Sequence, residues 1–229
     1  NANWIRAKHG SKSVSLGNIS EAYEKAGGGE MMKEFAFDDA ERERAEEHGS
    51  LASKLHTALH EVIGHASGVL EQGKSPDMLK NYASPLEEAR ADLVALYYMM
   101  DPKLVEMGLM PGLEVGRAHY EAYLRNGAML QLRRLKLGDD VQQAHMRNRQ
   151  MISRWVMEKG APEGVVAMEE HEGRTYVRIH DHDRLRALFG ELLREVQRIK
   201  SQGDHEAGKA LVETYGVKVD QRLHAEVLK

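Results

Sequence analysis

The most informative absence in this sequence is cysteine, because none of its 229 residues is one. Any metal ion that the chain binds must therefore have nitrogen and oxygen ligands, and a scaffold held together by disulfides is excluded. Since disulfides are typical of small secreted proteins, their absence makes the cytoplasm the expected compartment.

Long apolar segments and a strong net charge are also absent. No run of apolar residues is long enough to cross a bilayer. The 32 basic and 36 acidic residues leave a net charge of -4, so no overall field attracts nucleic acid or an anionic membrane surface. We therefore expect neither nucleic acid nor a membrane as a partner.

Apolar residues recur at helical spacing through most of the chain, which predicts a mainly α protein. The pattern indicates a helix from Ser50 onward, one capped by Ser84, and others over 116–135, 139–160 and 181–203. A short strand at 13–16 and a helix at 20–26 are predicted near the start. In the run VVAMEEHEGRTYVRI, alternation around Glu172 and Gly173 predicts a hairpin. The expected fold is an irregular multi-helix lobe with a small β-hairpin.

The stretch TALHEVIGHASG contains two histidines, His60 and His65, at an unusual spacing. Five residues of regular α-helix correspond to about 500°, which leaves the two rings roughly 140° out of phase. A one-residue bulge with a hydrogen bond from residue i+5 to residue i would realign them, and such bulges often occur at functional sites. Gly64 makes that distortion easy. The motif therefore predicts a locally distorted helix that directs both rings toward one ion.

Three carboxylates follow on the next predicted helix, at Glu87, Glu88 and Asp92. Two histidines and a carboxylate from a following helix are a common catalytic zinc set. Each motif alone has a simpler interpretation: two histidines on a mixed helix face, and acids that offset the helix dipole. Their occurrence together favours a metal site.

The sequence HEVIGH followed by EEARAD resembles the paired signatures of the dipeptidyl-peptidase III family of zinc metallopeptidases, HExxGH and EExRA with a final acid. The segments GSKSVSLGNI and QAHMRNRQ extend the likeness over most of the chain. The resemblance implies that residues 1–229 form a single helical zinc-binding catalytic lobe, a fragment of a larger two-lobed enzyme. A start at Asn1 without methionine agrees with that expectation.

The resemblance also implies a role for each residue of the first motif. His60, His65 and Glu88 would ligate one zinc ion. Glu61 would be the general base that takes a proton from the metal-activated water.

Further roles follow from the same resemblance. Glu87 and Asp92 would hydrogen-bond the ligating histidines, although the family usually has glutamate at the position of Asp92. His145 would steady the developing oxyanion as a catalytic residue, and Arg149 would hold the substrate's backbone or carboxylate. Asn1 would help to bind the substrate's free amino group.

We therefore expect a zinc-dependent exopeptidase lobe that, in the full protein, releases dipeptides from the amino ends of short peptides. A missing N-terminal lobe would complete the active site, so the isolated fragment is expected to be weakly active or inactive. Two alternatives stay open. One is a non-catalytic helical zinc-binding interaction domain, against which Glu61 argues, since a structural ion needs no base. The other is a metallohydrolase of a non-peptide substrate.

Overall fold

The computed structural model describes residues 32–229 and the isolated position Asn18. The predicted strand at 13–16, the predicted helix at 20–26 and Asn1 lie outside the described residues. Within the described part, helices form nearly all of the regular structure, and one antiparallel hairpin accompanies them. This confirms the predicted fold class.

The helices are α1 (Asp39–Leu59), α2 (Ala83–Met99), α3 (Pro102–Glu106), α4 (Glu114–Ala128), α5 (Ala144–Gly160), α6 (His182–Gln202), α7 (His205–Val212) and α8 (Gln221–Val227). Short π-helical turns extend two of them, at His60–Gly64 after α1 and at Glu213–Val217 after α7. Within the described residues, 3-10 structure occupies Pro76–Tyr82, which a kink at Lys80 divides, and also Leu130–Arg134 and Ala161–Glu163. Strands β1 (Val166–His171) and β2 (Arg174–Ile179) pair in the register Val166 with Ile179.

Aspartate side chains begin several helices by accepting a hydrogen bond from a backbone N–H in the first turn, as at Asp38 for α1 and Asp181 for α6. Helix α2 begins differently. The 3-10 turn before it runs directly into the helix, so α2 starts at Ala83, and Tyr82 precedes it without a side-chain cap. The prediction that Ser84 caps this helix is therefore wrong.

Other helix boundaries also differ from the predicted ones. Helix α4 spans Glu114–Ala128, because the last residues of the predicted segment 116–135 form a 3-10 turn instead. Helix α1 starts at Asp39 and passes through Gly49 and Ser50 without a break, because Asp38 caps it well before the apolar pattern begins. Helix α5 starts at Ala144, so residues 139–143 at the front of the predicted segment are not helical.

Helix α2 lies in the middle of the fold and packs against α1, α5 and α6. It is buried nearly all round, as Leu86, Ala89, Leu93 and Leu96 show. Among the carboxylates on α2, Asp92 is therefore buried against other helices, whereas Glu87 and Glu88 are partly exposed. No helix within residues 32–229 combines the length and apolar character needed to cross a membrane.

Gly64 lets the end of the motif helix touch α2. A Cβ atom placed on Gly64 would lie 2.8 Å from the Cα of Ala91, closer than side chains can approach. Its backbone is not among those with positive φ, so the distortion itself does not require glycine. The need for glycine here comes from the close approach of two backbones, which differs from the expected reason.

Candidate metal centre

The chain after α1 contains the extra residue that the spacing of the histidines requires. The backbone N–H of His65 donates a hydrogen bond of 2.9 Å to the carbonyl oxygen of His60, five residues earlier. This confirms the predicted bulge. The two imidazole rings come together with their centroids 4.6 Å apart and their planes nearly perpendicular.

The three predicted ligands converge on one point. The Oε2 atom of Glu88 lies 3.4 Å from Nε2 of His60 and 3.8 Å from Nε2 of His65. One ligand atom from each residue lies within 4.8 Å of the other two. The distorted turn and α2 therefore bring two imidazoles and one carboxylate together.

The residues present fit a zinc ion. The Oε2 atom of Glu88 is buried and makes no hydrogen bond of ordinary geometry with any described residue. A buried carboxylate oxygen without a partner is costly, and a cation between it and the imidazoles would remove that cost. Two nitrogen donors and one oxygen donor are a set that zinc accepts, with a position left for water or substrate.

Each of the two histidines turns its other ring nitrogen toward a second carboxylate. Nδ1 of His60 lies 2.7 Å from Oδ1 of Asp92, and Nδ1 of His65 lies 2.8 Å from Oε1 of Glu87. The shorter side chain of Asp92 therefore still reaches its histidine. Both rings have Nδ1 occupied and Nε2 directed toward Glu88.

The two outer carboxylates have different surroundings. Glu87 accepts hydrogen bonds from two cationic side chains, with Nη2 of Arg90 at 2.8 Å and Nζ of Lys200 close by. Asp92 has no such cation in the described part of the chain, and it accepts from His56, Tyr123 and Asn148 instead. Spacing could have indicated His56, which precedes His60 by one helical turn. Lys200 and Asn148 lie far from these acids in sequence, and although Asn148 belongs to the segment QAHMRNRQ, nothing in that segment indicated a contact with Asp92.

These contacts shift the pKa values of the groups involved. Burial acts to lower the pKa of His60, but the carboxylates of Asp92 and Glu88 outweigh it and raise the pKa to about 9. Burial acts to raise the pKa of Asp92, Glu87 and Glu88. Hydrogen-bond donors reverse that effect for Asp92 and Glu87, and the nearby imidazoles reverse it for Glu88. The three acids are therefore carboxylates at neutral pH.

The remaining predicted residues lie at different distances from this cluster. Glu61 is exposed and lines a cavity of about 700 Å³ together with His65 and Glu88. Nδ1 of His145 lies 3.4 Å from Oε2 of Glu88, and its side chain is largely exposed. Arg149 is half-buried and lines a smaller, separate cavity of about 250 Å³. Asn1 lies outside the described residues.

The fold and the site together define a helical protein with a candidate metal centre between the turn after α1 and the central helix α2. A model of peptidase family M49 matches residues 1–80 and 71–227. The chain therefore belongs to peptidase family M49, as the paired motifs indicated.

Known relatives agree with this assignment. The chain is 26% identical to dipeptidyl peptidase 3 of Rattus norvegicus and 28% identical to that of Homo sapiens, over 94% of this chain in each case. These alignments cover 34% of each relative, so the chain spans about a third of the length of the curated proteins that it matches.

Two solved structures have a similar fold, and each match covers 100% of this chain. The dipeptidyl peptidase III of Caldithrix abyssi matches with a TM-score of 0.75 and 24% identity, and the match covers 41% of that structure. The dipeptidyl-peptidase III of Corallococcus sp. strain EGB matches with a TM-score of 0.76 and 22% identity, over 39% of its chain. At these identities the likeness concerns the fold alone.

Proposed function

We propose that this chain is the zinc-binding part of a metallopeptidase and that His60, His65 and Glu88 hold the ion. The observation that carries the proposal is the convergence of two imidazole nitrogens on a buried carboxylate oxygen that has no hydrogen-bond partner among the described residues. Membership of a peptidase family supports peptide-bond hydrolysis as the reaction. When bound, zinc would polarise the scissile carbonyl and make water more acidic.

The outer carboxylates prepare the two histidines for that ion. Asp92 and Glu87 each accept the Nδ1 hydrogen of one imidazole, at 2.7 and 2.8 Å. This fixes the tautomer that leaves the lone pair of Nε2 free, and it makes that nitrogen a better donor. We assign both acids this supporting role.

Glu61 is suited to move the proton. Its side chain is exposed at the edge of the cavity that His65 and Glu88 also line, and it makes no hydrogen bond within the described part of the chain. A carboxylate in this position can accept a proton from the attacking water and deliver it to the leaving amine. We assign Glu61 the role of general base.

His145 and Arg149 supply donors along α5. The imidazole of His145 lies beside Glu88 with much of its surface open to solvent, where it can donate to a developing oxyanion. Arg149, one turn later, carries a charge suited to a substrate carboxylate or backbone carbonyl. For Asn1 the proposed contact with the substrate's amino group depends on the family resemblance alone.

We further propose that the full protein releases dipeptides from the amino ends of short peptides, and that it acts in the cytoplasm. The release of dipeptides is supported by the names of the relatives, which are dipeptidyl peptidases. Because the chain spans about a third of those proteins, another lobe would complete the substrate site. Residues 1–229 would then form one lobe, and alone they would be weakly active or inactive.

The test measures zinc content and peptide hydrolysis in the intact protein. We expect one zinc ion per chain, and loss of stoichiometric zinc and of hydrolysis in His60→Ala, His65→Ala and Glu88→Ala. His171→Ala, at an exposed histidine on β1, serves as the matched control and should keep both the zinc ion and peptide hydrolysis. Full zinc binding by the His60→Ala or His65→Ala variant would contradict the ligand assignment.

The choice of peptide tests the reaction. Peptides with a free amino terminus should yield dipeptides, whereas peptides with an acetylated terminus should resist cleavage. Equal cleavage of both would contradict the dipeptide step. Zinc binding without any hydrolysis of peptides would favour the interaction domain or the hydrolase of another substrate.

A further inference from the structure

All hydrogen-bonding positions of the Asp92 carboxylate are occupied. Its Oδ1 atom lies 2.7 Å from Nδ1 of His60 and 3.1 Å from Nε2 of His56. Its Oδ2 atom accepts from the hydroxyl of Tyr123 and the amide nitrogen of Asn148, both at 2.8 Å. A carboxylate has about four lone-pair positions, so this one is saturated.

The donors to Asp92 come from three helices that converge on α2. His56 lies on α1, Tyr123 on α4 and Asn148 on α5. Asp92 itself is only 4% exposed, so water does not compete for these bonds. The direction of the carboxylate is therefore set by several elements at once and not by its own side-chain torsions.

Two observations indicate that Tyr123 and Asn148 serve this carboxylate in particular. Asn148 is fully buried and directs its amide nitrogen to Asp92 while its own Oδ1 atom has no partner among the described residues. The reversed amide would place oxygen against a carboxylate. Tyr120, one turn before Tyr123, bonds a backbone carbonyl instead, which shows that a tyrosine of α4 can be satisfied without Asp92.

We propose that Tyr123 and Asn148, together with His56, are positioning residues that act on His60 through Asp92. By holding the Asp92 carboxylate in one orientation, they fix the ring and tautomer of His60 and so strengthen its bond to zinc. This inference rests on the proposed function, because it takes His60 to be a zinc ligand. It adds residues that belong to neither signature motif.

The size of the expected effect follows from what is known of outer partners at metal sites. Loss of a group that hydrogen-bonds a ligating histidine typically weakens metal binding 10- to 100-fold. Tyr123 contacts Asp92 and not the ligating histidine itself, and it is one of four donors to that carboxylate. We therefore expect Tyr123→Phe to weaken zinc binding roughly tenfold, at the lower end of that range.

The experiment compares Tyr123→Phe with Tyr120→Phe in the intact protein. Both substitutions delete one buried hydroxyl from the same face of α4. Zinc affinity is measured by competition with a chelator, and the visible spectrum of the cobalt-substituted protein reports on the ligand geometry. Tyr123→Phe should weaken zinc binding and change the cobalt spectrum, whereas Tyr120→Phe should lower only the thermal stability.

Three results of this experiment would overturn the inference. Equal zinc affinity and equal cobalt spectra in the two variants would overturn the inference while leaving the proposed function standing. Absence of zinc from the wild-type protein would overturn both. Two tightly bound ions per chain would mean that His56, His60 and Asp92 hold a second ion, which is also incompatible with a positioning role.

A second pair of variants covers the case in which Tyr123→Phe does not fold. Asn148→Ala removes the other donor to Oδ2, and Ser153→Ala removes a fully buried hydroxyl of the same helix that has no partner among the described residues. Asn148→Ala should weaken zinc binding, and Ser153→Ala should not. The opposite pattern, or no difference, would reject the proposal.

Discussion

His65 donates its backbone N–H to the carbonyl oxygen of His60 across five residues, at 2.9 Å. In a regular α-helix the five-residue spacing would point the two rings in different directions. The wide turn takes up the extra residue, so the rings lie side by side. It also places Gly64 against the backbone of Ala91, so the turn that aligns the ligands is also the contact that joins their helix to α2. Several consequences of this arrangement can be measured.

Substitution of Gly64 by alanine should separate the two helices. The new Cβ would lie 2.8 Å from the Cα of Ala91, and backbone cannot move away as a flexible side chain can. We expect a loss of about 1–3 kcal/mol in the free energy of unfolding, together with weaker zinc binding. Urea unfolding and chelator competition measure the two effects.

Gly49 provides the matched control for this substitution. It lies inside α1, and a Cβ placed on it would meet no atom within 4 Å. Gly49→Ala should therefore stabilise the protein by up to about 1 kcal/mol through helix propensity. Equal effects of the two substitutions would show that close approach is not the reason for Gly64.

Replacement of Glu61 by glutamine should separate catalysis from metal binding. The change removes a base while keeping the shape of the side chain, and Glu61 does not belong to the three-residue ligand cluster. We expect kcat for peptide hydrolysis to fall by a factor of about 10² to 10⁴, with zinc content unchanged. The exposed residue Glu71 offers the control Glu71→Gln, which should keep full activity. A fall in kcat of less than tenfold in Glu61→Gln would contradict the role of Glu61 as general base.

His119 should make the metal-free protein sensitive to acid. Burial, and to a lesser extent the nearby imidazole of His56, holds the pKa of His119 well below its usual value. In the unfolded chain the pKa is about 6.5, so below that pH the unfolded state binds a proton that the folded state does not. Stability should therefore fall as the pH drops below about 6.5, by up to about 1.4 kcal/mol per pH unit.

The variant His119→Gln isolates this contribution. Unfolding of both proteins is measured between pH 5 and 8 in the presence of a chelator, so that release of zinc does not contribute. The variant should lose stability less steeply below pH 6.5 than the wild type does. His171→Gln, at an exposed position, should follow the wild-type curve. Parallel curves for His119→Gln and the wild type would contradict the prediction.

The site is built around the shorter acid at position 92. Asp92 is almost completely enclosed, and its carboxylate touches donors on both oxygens. An added methylene group must displace one of these neighbours, which costs about 1–3 kcal/mol in a packed interior. Asp92→Glu should therefore weaken zinc binding, even though the family usually has glutamate here.

A smaller side chain at position 148 should restore part of the zinc affinity that Asp92→Glu loses. Asn148→Ala removes the fully buried amide that meets Oδ2. The double variant with Asp92→Glu should bind zinc more tightly than Asp92→Glu alone, as chelator competition would measure. Additive losses in the double variant would show that Asn148 does not limit the space.

The sequence allowed the distorted turn to be predicted, because the spacing of His60 and His65 has a direct geometric meaning. The choice of Glu88 as the third ligand came from the family resemblance and not from spacing. It also predicted the hairpin around Glu172 and Gly173, since turn chemistry and alternation are local. Helix boundaries were less accurate. The start of α2 depends on the 3-10 turn that precedes it, and no cap at Ser84 was needed.

The partners that surround Glu87 and Asp92 could not be predicted from sequence. Lys200 reaches Glu87 across 113 positions, and Asn148 reaches Asp92 across 56. Such contacts are set by how the helices cross, and one chain contains no pattern that reports crossing geometry. The apolar pattern of the helix around Tyr123 predicts core packing, which is correct for its ring, but no pattern in the sequence indicates the bond from its hydroxyl to Asp92.

The wide turn at His60–Gly64 has a consequence for protein engineering. A grafted HEVIGH segment would bring both imidazoles and the proposed base to a new helical scaffold. It would not bring the glycine contact with Ala91 or the buried acid that orients His60, because both depend on a partner helix at the correct distance. A useful transplant must therefore carry the α1 and α2 pair as a unit. The host must also supply a hydroxyl and an amide in the positions of Tyr123 and Asn148.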